Sequence, residues 1–282
     1  MELLWQAELD STLRTALLED IGHGDVTTAA IVDPKIRGRA RIVVKETDAV
    51  FCGGPLLVRI FELCEAEPKV EYLAPEGSRL ARGAEAMRLE GGLGALLTGE
   101  RTVLNFAQLL CGIATLTRRF VGAIAGTGAR IIDTRKTHPG LRAVEKYAVR
   151  VGGGFNHRFG LDAGVLIKEN HIAAAGSVRA AFERAVNFAP HSIRVQVECE
   201  TLKEVEEAVE AGATAVLVDD MTPEEVRRAR ALVAGRAIME VSGGVSLETV
   251  RAYAETGVEL ISVGALTHSA KAADLSMYVE PI

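Results

Sequence analysis

The sequence predicts an α/β fold, with repeated β-α units building a largely parallel sheet behind a smaller α/β region. Three observations predict it. From about residue 131 an apolar, β-prone run recurs and each time ends in polar residues. The stretches between these runs carry helix caps. The first third of the chain follows neither pattern.

Taken in order, Arg39–Lys45 and Ala49–Cys52 read as strand pieces, Pro75–Gly83 is rich in turn residues, and Ala84–Leu89 alternates as a half-buried strand does. A small α/β domain accounts for them. Gly99–Phe120 follows as a long helix, with Val103, Leu104, Phe106, Ala107, Leu110, Ile113 and Ala114 forming a broad apolar face. The six runs are then Ile131–Lys136, Val165–Asn170, Ile193–Glu200, Ala215–Asp220, Ala237–Gly244 and Leu260–Ala265. Their near-continuous Val, Ile and Leu content suits parallel strands buried on both faces. Thr201 with Glu204, and Thr222 with Pro223 and Glu225, have the pattern of capping boxes, in which each side chain satisfies an orphan amide of the first helical turn. Gly212, Gly235 and Gly257 stand where left-handed C-caps would end the helices. Units of this kind build either a doubly wound sheet or a barrel, and their spacing leaves that choice open.

Composition excludes several classes of protein. With 48% hydrophobic and 25% charged residues the chain is neither disordered nor fibrous. Its longest apolar stretches, such as Ala213–Val218, fall well short of the roughly 20 residues that span a bilayer. The first residues, with Glu2, Glu8 and Asp10, lack the basic start of a signal peptide, so a cytoplasmic location and no membrane partner are expected. Cys52, Cys64, Cys111 and Cys199 form no C-x-x-C pair and read as buried thiols. A formal net charge of −6 argues against nucleic acid as a partner. Charge is nevertheless uneven, because Arg130–His171 holds eight Lys or Arg against four acids, a local excess of +4.

In α/β barrels, catalytic groups gather at the carboxyl ends of strands. Here the runs end in Asp133-Thr134-Arg135-Lys136, Lys168-Glu169-Asn170, Glu198-Cys199-Glu200, Asp219-Asp220, Glu240-Val241-Ser242-Gly243-Gly244 and Val263-Gly264-Ala265. One polar ending is most simply a solvated strand terminus. Six together point to a site. Arg135, Lys136, Arg158 and Lys168, with His157 among them, would crowd cations into one mouth, and such crowding calls for a polyanionic partner. Glu198 and Asp219 could offset that charge, hold a hard cation such as Mg²⁺, or stabilise positive charge developing on a sugar, although structural pairing with Lys or Arg is the plainer alternative. Ser242-Gly243-Gly244 and Gly264 would let backbone amides approach a phosphate. Gly152-Gly153-Gly154 reads as a loop closing on a ligand. His138, His171 and His268 show no zinc spacing and are expected to be structural.

These residues resemble the quinolinate phosphoribosyltransferase family nearly end to end. The landmarks are Glu19–Thr28, Glu100–Phe106, Asp133–Thr137 before Pro139-Gly140, Gly152–Arg158, Leu166–His171, Ser242–Gly244 and Ser262–His268. The resemblance implies an N-terminal α/β sandwich, residues 1–108, and an open, incomplete α/β barrel of about six parallel strands, residues 109–282, whose C-terminal tail could pack back on the first domain. It implies phosphoribosyl transfer from phosphoribosyl pyrophosphate to quinolinate with loss of carbon dioxide, Mg²⁺ as cofactor, and a homodimer or hexamer of dimers with shared active sites.

The resemblance also assigns roles. Arg135, Lys136, His157 and Arg158 would grip the two quinolinate carboxylates, with Arg101 reaching in from a neighbouring subunit, and Thr134 would also bind substrate. Lys136, Lys168, Glu198 and Asp219 would be catalytic. Of these, Lys168, Glu198 and Asp219 form the ribose and pyrophosphate side, and the last two face a Mg²⁺ held mainly by pyrophosphate. Ser242, Gly243, Gly244, Val263, Gly264 and Ala265 would cradle the 5′-phosphate. Asp220, Cys111 and Gln196 depart from the family pattern, and Asp220 adds a negative charge beside Asp219. Three competing readings remain at this stage: a related pyrophosphorylase acting on another pyridine, a Schiff-base enzyme using Lys168, and a non-catalytic ligand-binding barrel.

Overall fold

The computed structural model describes residues 6–282. The chain folds into two compact units that interleave in sequence. One comprises residues up to Leu116 with His138–Gly153 and Ser269–Ile282; the other comprises Thr117–Thr137 and Gly154–His268. Where one boundary near residue 108 was expected, the chain thus passes between units several times.

The first unit opens with α1 (Gln6–Ile21) and α2 (Val26–Ile31), then β1 (Arg37–Val44), β2 (Ala49–Val50), α3 (Gly54–Leu63), β3 (Lys69–Tyr72), β4 (Arg79–Leu80) and β5 (Glu85–Gly92). Helix α4 (Leu93–Ala123) is longer at both ends than the apolar face predicted. Two of its glycines, Gly99 and Gly112, stand where neighbours leave little room for a side chain. A Cβ on Gly99 would stand 3.2 Å from the Phe61 ring, and one on Gly112 would run into the backbone of Lys271.

Chain order continues with β6 (Arg130–Ile132), α5 (Arg142–Val151), β7 (Val165–Ile167), α6 (Glu169–Ala175), α7 (Val178–Phe188), β8 (Val195–Cys199), α8 (Leu202–Glu210), β9 (Ala215–Asp219), α9 (Pro223–Val233), β10 (Ile238–Ser242), α10 (Val250–Ala254), β11 (Leu260–Ser262), α11 (Ala265–His268) and β12 (Leu275–Pro281). In the first unit an antiparallel sheet runs in the order β12-β1-β5-β3, and β2 pairs with β4. Strand β1 shows the alternation that one-sided burial demands: Arg37, Arg39 and Arg41 face solvent while Gly38, Ala40 and Ile42 face the core. The C-terminal strand runs antiparallel to β1 from Gly38 opposite Pro281 to Val44 opposite Leu275. Neither β3 nor β12 was anticipated: β3 is four residues long and largely exposed, and β12 buries only Leu275 and Met277.

In the second unit six strands form a parallel sheet in the order β6-β11-β10-β9-β8-β7. All six predicted runs are strands. With β6 and β7 left as edges, the sheet does not close on itself, as an incomplete barrel requires. The predicted caps form: Thr201 and Thr222 each exchange hydrogen bonds with Glu204 and Glu225, and Gly212, Gly235 and Gly257 adopt positive φ. Val197, Val216, Val218, Met239, Val241 and Ile261 are wholly buried and make the core on which the strand ends rest. Among the described residues, no helix is long and apolar enough to cross a membrane.

Candidate active site

A cavity of about 480 Å³ opens at the carboxyl ends of the second unit's strands. It is lined by Thr134, Arg135, Lys136, His157, Arg158, Lys168, Glu198, Asp219, Ser242, Gly243, Gly244, Val263, Gly264 and Ala265. Every residue to which the family resemblance assigned a substrate or catalytic role is there except Arg101, which lies exposed on α4 in the first unit. The Gly152-Gly153-Gly154 loop does not line the cavity; Gly152 caps α5 and Gly153 takes a left-handed turn.

The cationic side is built around a buried carboxylate. Asp133 follows β6 and accepts from the His157 amide at 2.8 Å and from Asn156 Nδ2 at 2.5 Å. Backbone bonds from Phe155 N to Ile131 O and from Asp133 N to Phe155 O lay the segment beside the strand. A loop that is otherwise only turn and coil is thereby held at the strand end. The Lys136 amide donates to Thr134 Oγ1 at 3.0 Å, and Thr267 Oγ1 donates to the Lys136 carbonyl at 2.8 Å. Arg158 Nη1 donates to the Gly164 carbonyl at 2.7 Å. Burial, reinforced by the charge of Arg135, pulls the Arg158 guanidinium below its ordinary pKa.

Acids line the same cavity. Lys168 Nζ reaches both carboxylate oxygens of Glu198, at 2.7 and 2.5 Å. Burial raises the Glu198 carboxyl, the Lys168 ammonium pulls against that, and Asp219 adds to the rise, leaving it above the usual glutamate range. At the β10 end, Gly243 and Gly244 have φ of 87° and 59°. A Cβ on Gly243 would collide with Asp220 Oδ1 and lie 2.6 Å from the Asp220 amide nitrogen, so only glycine lets this turn form. Gly264 is pressed between Lys136 and the His268 ring, which a Cβ would meet at 3.1 and 3.2 Å.

Sequence reasoning missed Leu166, Leu217, Glu240, Val245, Ser262 and His268, which also line the cavity. Leu166 and Leu217 supply apolar surface, which an alternation argument could have aimed inward. Glu240 had a signal of its own, as the one charge inside an apolar run. It is buried at 2% exposure and accepts from Gln196 Nε2 at 2.8 Å and from Ser262 Oγ. Burial raises its carboxyl, but donors from His157, Ser262 and Gln196 outweigh that and hold it below the ordinary value.

The sequence profile of the quinolinate phosphoribosyl transferase C-terminal domain matches residues 113–278, and that of the N-terminal domain matches residues 25–111. The chain belongs to the quinolinate phosphoribosyl transferase family. A family relative from Bacillus subtilis, a probable carboxylating nicotinate-nucleotide pyrophosphorylase, is 43% identical over 96% of this chain and 93% of its own length. The carboxylating nicotinate-nucleotide pyrophosphorylase of Mycobacterium leprae is 40% identical over 98% of this chain and 99% of its own. Among solved structures, NadC from Streptococcus pyogenes is 39% identical, covers 100% of this chain and 99% of its own, and superposes with a TM-score of 0.95. Membership of the family thus rests on both units, and the cavity belongs to the second.

Proposed function

We propose that this protein transfers the phosphoribosyl group of phosphoribosyl pyrophosphate to the ring nitrogen of quinolinate, releasing pyrophosphate and carbon dioxide and leaving nicotinate mononucleotide. The observation that carries this reading is the crowding of Arg135, Lys136 and Arg158 into one cavity together with Glu198 and Asp219. Adjacent carboxylates on a pyridine need more than one cation, and a guanidinium fork suits each of them. Leu166 and Leu217 offer apolar surface for the ring. Gly243, Gly244 and Gly264 leave room for a phosphate against bare backbone.

As the bond from the anomeric carbon to pyrophosphate lengthens, the ribose gains oxocarbenium character, which Glu198 and Asp219 are placed to stabilise. The pyridine nitrogen then bonds to that carbon and becomes cationic. Its positive charge stabilises the in-plane electron pair left on the neighbouring carbon when carbon dioxide departs, and a proton takes the vacated position. The protein needs no electron-sink cofactor of its own.

Magnesium would offset charge on the leaving pyrophosphate. Glu198 and Asp219 fit an ion held chiefly by phosphate oxygens, since one or two carboxylates plus substrate phosphates suffice for Mg²⁺. Among the described residues, no group of three His, Cys, Asp or Glu could hold a metal ion by itself.

Arg101 would complete the dicarboxylate grip from a second subunit, in a homodimer or a hexamer of dimers. Mixing Arg101→Ala with Lys136→Ala subunits should restore activity that neither variant has alone, and mixtures that stay inactive would rule out a shared site. The four thiols, all free, support a reducing, cytoplasmic setting.

The Schiff-base alternative is disfavoured because Lys168 Nζ is held by both carboxylate oxygens of Glu198 and is not free to attack a carbonyl. The experiment that tests the function supplies quinolinate, phosphoribosyl pyrophosphate and Mg²⁺ and follows both small products. Carbon dioxide and pyrophosphate should appear in equal amounts. Turnover of nicotinate with quinolinate ignored would assign the protein to another pyridine.

A further inference from the structure

The family resemblance places His157 among the cations that grip the dicarboxylate, yet both nitrogens of its ring are already engaged. The Arg158 backbone N–H donates to Nδ1 at 2.7 Å. An amide N–H is always a donor, so Nδ1 must present its lone pair. The ring proton therefore sits on Nε2, which faces the Glu240 carboxylate at 3.5 Å, the outer limit of a hydrogen bond. A cationic ring would need a second N–H on Nδ1, opposed to the Arg158 N–H. Glu240 draws positive charge onto the ring, but Arg135, Lys136 and Arg158 line the same cavity and repel it, and the Arg158 N–H occupies the place a second ring proton would need.

Glu240 is itself fixed. Gln196 Nε2 and Ser262 Oγ donate to its two oxygens, and its residue is 2% exposed, so the carboxylate cannot turn away. The His157 amide is held by Asp133 at 2.8 Å. The ring is thus clamped between a buried acceptor below and the Arg158 amide above. Resting on the functional reading above, we propose that Glu240 is a positioning residue that holds His157 as its neutral Nε2–H tautomer, so that the ring braces the Arg158 backbone instead of contributing a cation. Arg135, Lys136 and Arg158 then carry the charge of the dicarboxylate grip, and Glu240 acts on substrate only through His157 and Arg158.

The test needs no substrate in its first arm. The protein holds six histidines, and with their ring nitrogens isotopically labelled, NMR of the unaltered full-length protein at neutral pH, assigned by difference from His157→Phe, reports the tautomer directly. The expected result is one protonated nitrogen, Nε2, and one pyridine-like nitrogen, Nδ1. Protonation of both, or of Nδ1 alone, would overturn the proposal whether or not quinolinate is the substrate.

The second arm compares Glu240→Met, which removes the acceptor, with Glu240→Gln, which keeps one without charge. Glu240→Met should raise KM for quinolinate about tenfold while KM for phosphoribosyl pyrophosphate moves much less, as loss of one positioning hydrogen bond predicts. Glu240→Gln should recover most of that loss. Equal KM changes for both substrates, or a glutamine variant no better than methionine, would return His157 to the role of a cation paired with a charged Glu240.

Discussion

Two groups of basic side chains in this molecule are treated in opposite ways. On the outer face of the first unit's sheet, Arg39 meets Glu90 at 2.6 Å, Arg41 meets Glu85 at 3.1 Å and Arg88 meets Glu85 at 2.6 Å. Hydrogen bonds from Arg88 and Arg41 hold the Glu85 carboxyl below its ordinary pKa, and Arg39 does the same for Glu90. In the second unit's cavity, Arg158 bonds a neutral carbonyl and is depressed by burial and by Arg135, while burial raises Glu198. The first arrangement satisfies its charges within the fold. The second gathers Arg135, Lys136 and Arg158 into one cavity, and like charges held together cost stability unless an anion arrives.

The largest effect should come from removing one of those cations. Arg135→Ala or Lys136→Ala should lower kcat/KM for quinolinate by about a thousandfold, as loss of charged transition-state contacts does. Thermal unfolding of these variants should stay at or above the parent's temperature. A variant that unfolds early would make the cavity cations structural, like those of the sheet.

Glu198→Gln should split function from stability. Turnover should fall about a hundredfold through loss of a carboxylate facing the ribose. A carboxyl whose folded pKa is raised contributes stability at low pH that is lost as pH rises through that value. The variant should therefore gain on the parent as pH rises out of the acid range and melt higher at neutral pH, with denaturation curves across that range as the check. Glu85→Gln should do the reverse. Its lowered pKa gives stability above the usual glutamate range that disappears as pH falls through the folded value, so the variant should melt a little lower at neutral pH, match the parent in acid and turn over normally.

Most of this contrast was legible in the sequence, and the rest was hidden for identifiable reasons. The six strands of the second unit announced themselves because parallel strands buried on both faces leave continuous apolar runs. Their polar endings then pointed to the cavity. Strands β3 and β12 were not legible, because Lys69–Tyr72 and Leu275–Pro281 owe their conformation to antiparallel partners and carry few buried side chains of their own. The return of the chain to the first unit at His138–Gly153 was invisible for the same reason, since it depends on contacts made far apart in sequence. Glu240 escaped because a buried carboxylate inside an apolar run resembles a polar strand end until Gln196 and Ser262 are seen to hold it.

The smallest predicted effect concerns Asp220, which takes a left-handed φ of 52° with its carboxylate against Gly243. Asparagine tolerates that conformation and removes a negative charge beside the proposed phosphate cradle. Asp220→Asn should lower KM for phosphoribosyl pyrophosphate about threefold, the scale of a partly screened charge. An unchanged or higher KM would place Asp220 outside the phosphate's reach.

The claim that the cavity cations read two carboxylates is tested most directly by discrimination between quinolinate and nicotinate. The ratio of their kcat/KM values should be measured for the parent and for Arg135→Ala. The parent should prefer quinolinate by at least about a thousandfold, as sites built to pair with a charged group do against analogues lacking it, and the variant should lose most of that preference. A parent that accepts nicotinate equally well, or a variant that keeps the full preference, would contradict the account.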